Sequence, residues 1–245
     1  MANEGGIPEL AKGAVLVADA HLNSSRPEFL RLLRRIASDE IVATQLWLMG
    51  DNFDLLIGGF EQLRHFYAEA IELINRLAKK IPVLIFEGNH DFLLHEFFPH
   101  ALVVARAKQP LLTHCEGVAV ALAHGDRDIG WGYELYTHTL RSPRFLKLAD
   151  YLTLNRYGSG FLMGWLPRLD RKKICRHFER FEAVAMSHLR ATPEAQILIE
   201  GHFHQNRTYE YQGRRYIGLP SLACGGLYGR VVVREGVLDV DIRRL

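Results

Sequence analysis

Short apolar runs that stop abruptly in polar residues recur along this chain. Ala14-Val15-Leu16-Val17-Ala18 runs into Asp19-Ala20-His21, and Gln45-Leu46-Trp47-Leu48-Met49 into Gly50-Asp51-Asn52-Phe53-Asp54. Val83-Leu84-Ile85-Phe86, behind Pro82, runs into Glu87-Gly88-Asn89-His90-Asp91. Runs this short and this apolar predict buried strands. Between them the period changes. Ser24, Ser25 and Pro27 mark a helix start, and Phe29, Leu30, Leu32, Leu33 and Ile36 form its apolar face, with Arg31, Arg34 and Arg35 on the wet side. Phe60, Leu63, Tyr67, Ile71, Ile74 and Leu77 predict one longer helix. Strand–helix–strand–helix–strand is the order of an α/β sandwich whose first half is largely parallel.

The second half repeats the design and then changes it. Val118 to Ala123 predicts a strand ending in His124-Gly125-Asp126, and Ile197-Leu198-Ile199 one ending in Glu200-Gly201-His202-Phe203-His204. From Thr208 to Leu245 the pattern alternates, with turns at Gly213, Gly225-Gly226 and Glu235-Gly236, which predicts antiparallel strands. Residues 127 to about 190 hold no clear strand and are rich in aromatic residues, Arg and Lys. We read them as a helical insertion within a single domain spanning 1–245.

Composition narrows the class. With 245 residues, 48% of them hydrophobic, the chain can bury a sizeable core. A formal net charge of +2 gives no global attraction to nucleic acid. Cys115, Cys175 and Cys224 are widely spaced, which argues against a disulfide framework and for a reducing compartment. Met1 to Lys12 lacks the apolar segment of a secretory signal, and no apolar run approaches the roughly 20 residues of a bilayer span, so a cytoplasmic protein is expected.

Five strand ends carry Asp19 and His21, Asp51, Asn89 and His90, His124, and His202 and His204. In open α/β sheets, ligands bind beyond the carboxyl ends of the strands. Imidazole and carboxylate without thiolate suit Mn²⁺, Fe²⁺ or Zn²⁺. Members of the pairs Asp19/His21 and His202/His204 face the same way if the chain stays extended. Each residue alone has a plainer reading: Asp19 or Asp51 as a helix cap, His124 as a hydrogen-bonded core histidine, His202 to His204 as a surface loop. It is their repetition at successive strand ends that favours a metal site.

Asp19-x-His21, Gly50-Asp51-x-x-Asp54, Gly88-Asn89-His90-Asp91, His124 and Gly201-His202-x-His204 together resemble the calcineurin-like metallophosphoesterases, in that family's order. The resemblance implies a four-layer αββα sandwich holding two divalent metal ions, manganese first, with iron or zinc as alternatives. It implies that Asp19, His21 and His204 hold one ion, that Asn89, His124 and His202 hold the other, and that Asp51 bridges them. His90 would lie near the leaving group as the catalytic residue. Asp91 would either orient His90 or cap the next turn. Two divalent ions roughly 3.5–4 Å apart suit an in-line displacement at phosphorus.

Within this superfamily, Asp19-Ala20-His21-Leu22, Phe53-Asp54 followed by Ile57-Gly58, Asp91-Phe92-Leu93 and His124-Gly125-Asp126 with an insertion after it are similar to the UDP-2,3-diacylglucosamine hydrolases of lipid A biosynthesis. That resemblance implies cleavage of a lipid-linked nucleotide sugar to UMP and the sugar 1-phosphate, by a peripheral protein on the cytoplasmic face of the inner membrane. Asn89, Tyr133, Arg141, Lys172 and Lys173 are candidate substrate-binding residues, and the position of the insertion just after His124, with its basic and aromatic composition, suggests a lid for acyl chains or a contact with the membrane surface. The chain departs from that pattern at His90, where the family usually has Arg, and at Ile129-Gly130-Trp131-Gly132-Tyr133, where it has an acidic stretch. Two alternatives follow: a cytosolic phosphoesterase acting on a nucleotide or small phosphoester, and a non-catalytic protein-binding scaffold.

Overall fold

The computed structural model describes residues 6–127, 141–142 and 175–245. The early apolar runs form β1 (Val15–Val17), β2 (Leu46–Leu48) and β4 (Val83–Phe86), all buried throughout. They pair in parallel, and β6 (Leu102–Val104) adds to β4, also in parallel. Antiparallel β12 (Leu227–Arg234) and β13 (Val237–Arg244) complete a six-stranded sheet in the order β13-β12-β1-β2-β4-β6. A five-stranded sheet holds β7 (Leu111–Cys115), β8 (Val118–Ala123), β9 (Ile197–Glu200), β10 (Arg207–Tyr211) and β11 (Arg214–Gly218), in the order β10-β11-β9-β8-β7. Within it β8 and β9 are parallel.

The two sheets face each other. Leu16, Trp47, Leu84 and Phe86 from the first pack with Val120, Leu122, Ile199 and Ile217 from the second. Each fully buried side chain of this kind contributes about 1.5–3 kcal/mol. Helix α1 (Glu28–Ala37) buries Phe29, Leu32, Leu33 and Ile36, the i, i+3, i+4, i+7 stripe of its sequence, on the outer face of the first sheet. Helix α3 (Ala68–Ala78) packs beside it. On the outside of the second sheet, α4 (Phe181–Ala191) buries Phe181, Ala185 and Leu189 against Ala121, Leu198 and Tyr216. The layers are therefore helices, sheet, sheet, helix: the expected αββα sandwich.

Four details differ from the sequence reading. The second helix is divided into α2 (Glu61–Phe66) and α3 at Tyr67, whose ring turns inward to lie 5.0 Å from Phe53. A small parallel pair of β3 (Leu56–Ile57) and β5 (Asp91–Phe92) had no sequence signal of its own. The insertion ends before α4, because residues 181–190 form a layer of the sandwich. Cys175 and Cys224, distant in sequence, are disulfide-bonded, whereas Cys115 is free and buried. The fold brings those two positions together, which their spacing does not reveal. The lid expectation, with Tyr133, Lys172 and Lys173, falls on 128–140 and 143–174, outside the described residues. Among the described residues no helix is long and apolar enough to cross a membrane.

Candidate metal centre

Because β1, β2 and β4 run parallel in one sheet and β8 and β9 run parallel in the other, their carboxyl ends open on a common edge. The chain does not stay extended past those ends. Asp19 (φ 50°), His21 (φ 43°), Asp51 (φ 51°), His202 (φ 63°) and His204 (φ 59°) all adopt the left-handed region. These turns, rather than the two-residue strand period, aim the side chains at one another. Gly88 and Gly50 make the approach achievable: a side chain at Gly88 would run into Asp51, and one at Gly50 into the His124 ring.

Three groups of ligand atoms result, each within 4.8 Å: Asp19, His21 and His204; Asp51, His124 and His202; and His21, Asp54 and His90. The first has the same members as one expected ligand set; the second joins Asp51, expected as the bridge, to His124 and His202, with Asn89 Oδ1 3.4 Å from His124 Nε2. Asp19 Oδ2 accepts the backbone N–H of His202 at 2.7 Å. Its Oδ1 is buried, accepts no hydrogen bond, and lies 3.2 Å from His204 Nε2. A buried carboxylate oxygen facing an imidazole nitrogen without a proton shared along a bond suits a cation between or beside them. His124 donates Nδ1–H to Met49 O at 3.0 Å, which leaves Nε2 3.5 Å from Asp51 Oδ2 and 3.4 Å from Asn89 Oδ1. That backbone bond fixes the ring as a ligand needs it fixed. The donor set, imidazole with carboxylate and amide oxygen, fits a divalent first-row metal.

Charge in the cluster is tightly balanced. Burial alone would raise the Asp51 carboxyl, but His124, His90 and His21 pull it well below its usual range. Burial likewise opposes ionisation of Asp19, but His204 and His124 together outweigh it, leaving Asp19 lowered. His124, despite burial, is raised well above the usual imidazole value by the Asp51 charge. His202 is pushed down to about 4 by burial and by His124. His202 thus stands neutral and ready to ligate, whereas a cation must displace a proton from His124.

His90 N donates to Asp51 Oδ1 at 2.8 Å, and His90 Nδ1–H donates to Asp54 O at 2.7 Å. This leaves Nε2 as the working nitrogen. Its ring centroid lies 5.0 Å from that of His21. Asp54, quoted in the sequence motif without a role, holds His21: its Oδ1 lies 3.2 Å from His21 Nδ1 and 3.1 Å from Arg26 Nη1, and its Oδ2 accepts from Asn23 Nδ2. Ser221, also missed, donates from Oγ to Asp19 O at 2.7 Å.

Asp91 makes its hydrogen bonds to backbone groups of the Asp51 and Gly88 turns and not to the His90 ring that it was expected to orient. Its Oδ1 accepts the N–H groups of Asp51 and Gly88, and its Oδ2 those of Asn52 and Phe53. It therefore ties the Asp51 loop to the Asn89 loop. Burial and the Asp51 charge push it up to about 7, against the pull of the Gly88 and Asp51 N–H groups. Asp91→Ala orphans four buried donors, and we expect it to destabilise the metal-free protein by about 3–5 kcal/mol. Urea unfolding measures this; a loss below about 1 kcal/mol would exclude the role. Arg141 Nη1 lies 2.6 Å from Glu87 Oε2, its Nη2 donates to Gly88 O at 2.5 Å, and its guanidinium stacks 4.8 Å above the Phe92 ring. These contacts brace the Asn89 loop.

The calcineurin-like phosphoesterase family profile matches residues 14–206. The chain is 28% identical over 223 residues to a UDP-2,3-diacylglucosamine hydrolase of Pseudomonas fluorescens, covering 81% of each. It is 26% identical over 220 residues to the protein of that name from Stutzerimonas stutzeri, covering 81% of this chain and 84% of that one. Among solved structures, the E. coli phosphoesterase Yfce is 18% identical, with a TM-score of 0.44, over 93% of this chain and 91% of that one.

Proposed function

The chain belongs to the calcineurin-like phosphoesterase family, and from that premise we propose that this hydrolase cleaves the pyrophosphate of UDP-2,3-diacylglucosamine to UMP and 2,3-diacylglucosamine 1-phosphate. The observation that carries the proposal is a pair of metal-ligand triads in a chain that resembles enzymes of that name over four-fifths of its length. In this reading Asp19, His21 and His204 hold one ion, Asn89, His124 and His202 the other, and Asp51 stands between them. Manganese suits the mixed nitrogen and oxygen donors. When bound, a pair of divalent cations offsets phosphate charge and lowers the pKa of the attacking water.

The chain's own groups do the rest. Asp54 O holds the His90 ring through Nδ1–H, so that the imidazolium form would give its Nε2 proton to the departing oxygen or stabilise its charge. Asp91 and Arg141 brace the two loops that carry Asp51 and Asn89. Tyr133, Lys172 and Lys173 contact the substrate, and the insertion takes the acyl chains, at the cytoplasmic face of the inner membrane. The second reading, a phosphoesterase for nucleotides or small phosphoesters, draws on the departures at His90 and Ile129–Tyr133.

Incubation of the manganese-loaded protein with UDP-diacylglucosamine, followed by product chromatography, should give UMP. Chelation should remove at least about 10²-fold of the rate. Turnover of bis(p-nitrophenyl) phosphate without UMP release from the lipid would favour the second reading. No metal-dependent turnover of either substrate would favour a scaffold.

A further inference from the structure

Beside the metal ligands lies a cavity of about 590 Å³ whose wall includes His202, Phe203 and His204. This is within the ~300–1,000 Å³ of small-molecule sites. The rest of its described lining is conspicuously one-signed: Arg127, Arg176 and Arg180, with His177 and His188, and no carboxylate among the described lining residues. Nothing in the roles assigned above uses these groups.

Arg127 is the most telling of them. Its Nη1 donates to Gln109 O at 3.0 Å, while Nε and Nη2 are buried and have no hydrogen-bond partner among the described residues. Nε and Nη2 form one edge of the guanidinium, the parallel pair of N–H groups that matches two oxygens of a phosphate. Leaving a charged donor pair without water or acceptor is costly, and an anion relieves that cost. The opposite wall is firmly set. Gln205, next to His204, accepts Phe178 N–H at 2.9 Å and donates to Arg176 O at 2.9 Å, so the basic segment is tied to the very loop that carries two metal ligands. Cys175 anchors the same segment to Cys224, three residues from Ser221, the residue bonded to Asp19.

We propose that this cavity is a second anion subsite, anchored by Arg127 with Arg176 and Arg180, which takes the phosphate that is not attacked in a diphosphate substrate. The proposal rests on the phosphoester reading above and sharpens it: the chain would select diphosphate esters over molecules with a single phosphate. The metal centre acts on one phosphorus, and the arginines hold its neighbour.

The test is an equilibrium titration of the manganese-loaded protein with α,β-methylene-UDP and with UMP, which differ by one phosphonate-linked phosphate, alongside turnover of bis(p-nitrophenyl) phosphate. The wild type should bind the diphosphate analogue at least about 10-fold more tightly than UMP. Arg127→Gln and Arg180→Gln should each cut that preference to about 3-fold or less. Because Arg127 rests on Gln109, whose Oε1 accepts His124 N–H at 2.7 Å, Arg180→Gln guards against an indirect effect on the ligand His124. Turnover of the monophosphate diester should stay within about 3-fold in Arg180→Gln. Equal wild-type affinity for the two nucleotides, or a preference unchanged in both variants, overturns the subsite. Absence of bis(p-nitrophenyl) phosphate turnover in the wild type strikes the phosphoesterase reading instead, and the binding preference still decides the subsite.

Discussion

Asp51→Ala should abolish turnover, by more than about 10³-fold, and strip metal from both positions while the protein stays folded. A partner of a ligand typically accounts for about 10–100-fold in affinity or activity, and Asp51 does more than a partner does. One oxygen lies 3.5 Å from His124 Nε2 and the other accepts His90 N–H at 2.8 Å. Its carboxylate therefore joins the second triad and also fixes the backbone of the residue assigned to the leaving group. Its charge is the largest influence raising His124. Turnover, metal content by elemental analysis and circular dichroism are the measurements. A folded variant with two metals and more than about a tenth of wild-type turnover would remove Asp51 from its place between the ions.

The second large effect is expected at His90. His90→Ala should lower kcat by about 10²–10⁴-fold, the range for a missing general acid, while metal content stays within error of wild type. The two outcomes separate because His90 belongs to neither of the triads that carry the assigned ligands, and its Nδ1 is already held by Asp54 O. The ring does share a group of potential ligands with His21 and Asp54, so metal analysis is the decisive readout. Loss of one metal per chain would make His90 a ligand. Equal rates in variant and wild type would leave it without a part in the reaction.

The strands bearing the site were legible because each is an apolar run cut short by a polar residue. Val83 to Phe86 is the clearest case: prediction and structure share the same four residues. That these strand ends meet was legible through motif order, and the structure brings Asp19, His21 and His204, and Asp51, His124 and His202, within 4.8 Å of one another. What local pattern cannot carry is partnership at long range. Asp54 meets Asn23 and Arg26 from about thirty positions away, and Asp91 binds backbone groups of Asp51 to Phe53 from nearly forty. Arg in a basic, aromatic stretch suits a substrate, and the pairing of Arg141 with Glu87, 54 residues earlier, does not show in that composition. Tyr67 sits on the helical period and marks the join of two helices, its ring packed on Phe53, while its backbone still bonds Leu63 O and Ile71 N–H. The left-handed turns at Asp19 and His21 leave no trace in hydrophobicity at all.

Those turns carry a further implication. Five of the seven assigned ligand positions place a side chain where L-residues other than glycine are disfavoured, at a cost of roughly 1–2 kcal/mol each. At His21, His202 and His204 glycine would sit with less strain, whereas at Asp19 and Asp51 it would also leave His202 N–H and His90 N–H without their acceptors. Function and thermal durability are therefore opposed at those three histidines, and what compensates for the strain is the cation itself, whose binding to the folded state alone adds to stability by mass action. Any selection for heat resistance carried out in the presence of a chelator would drift toward glycine at His21, His202 or His204. Its survivors would be sturdier proteins that had lost their chemistry.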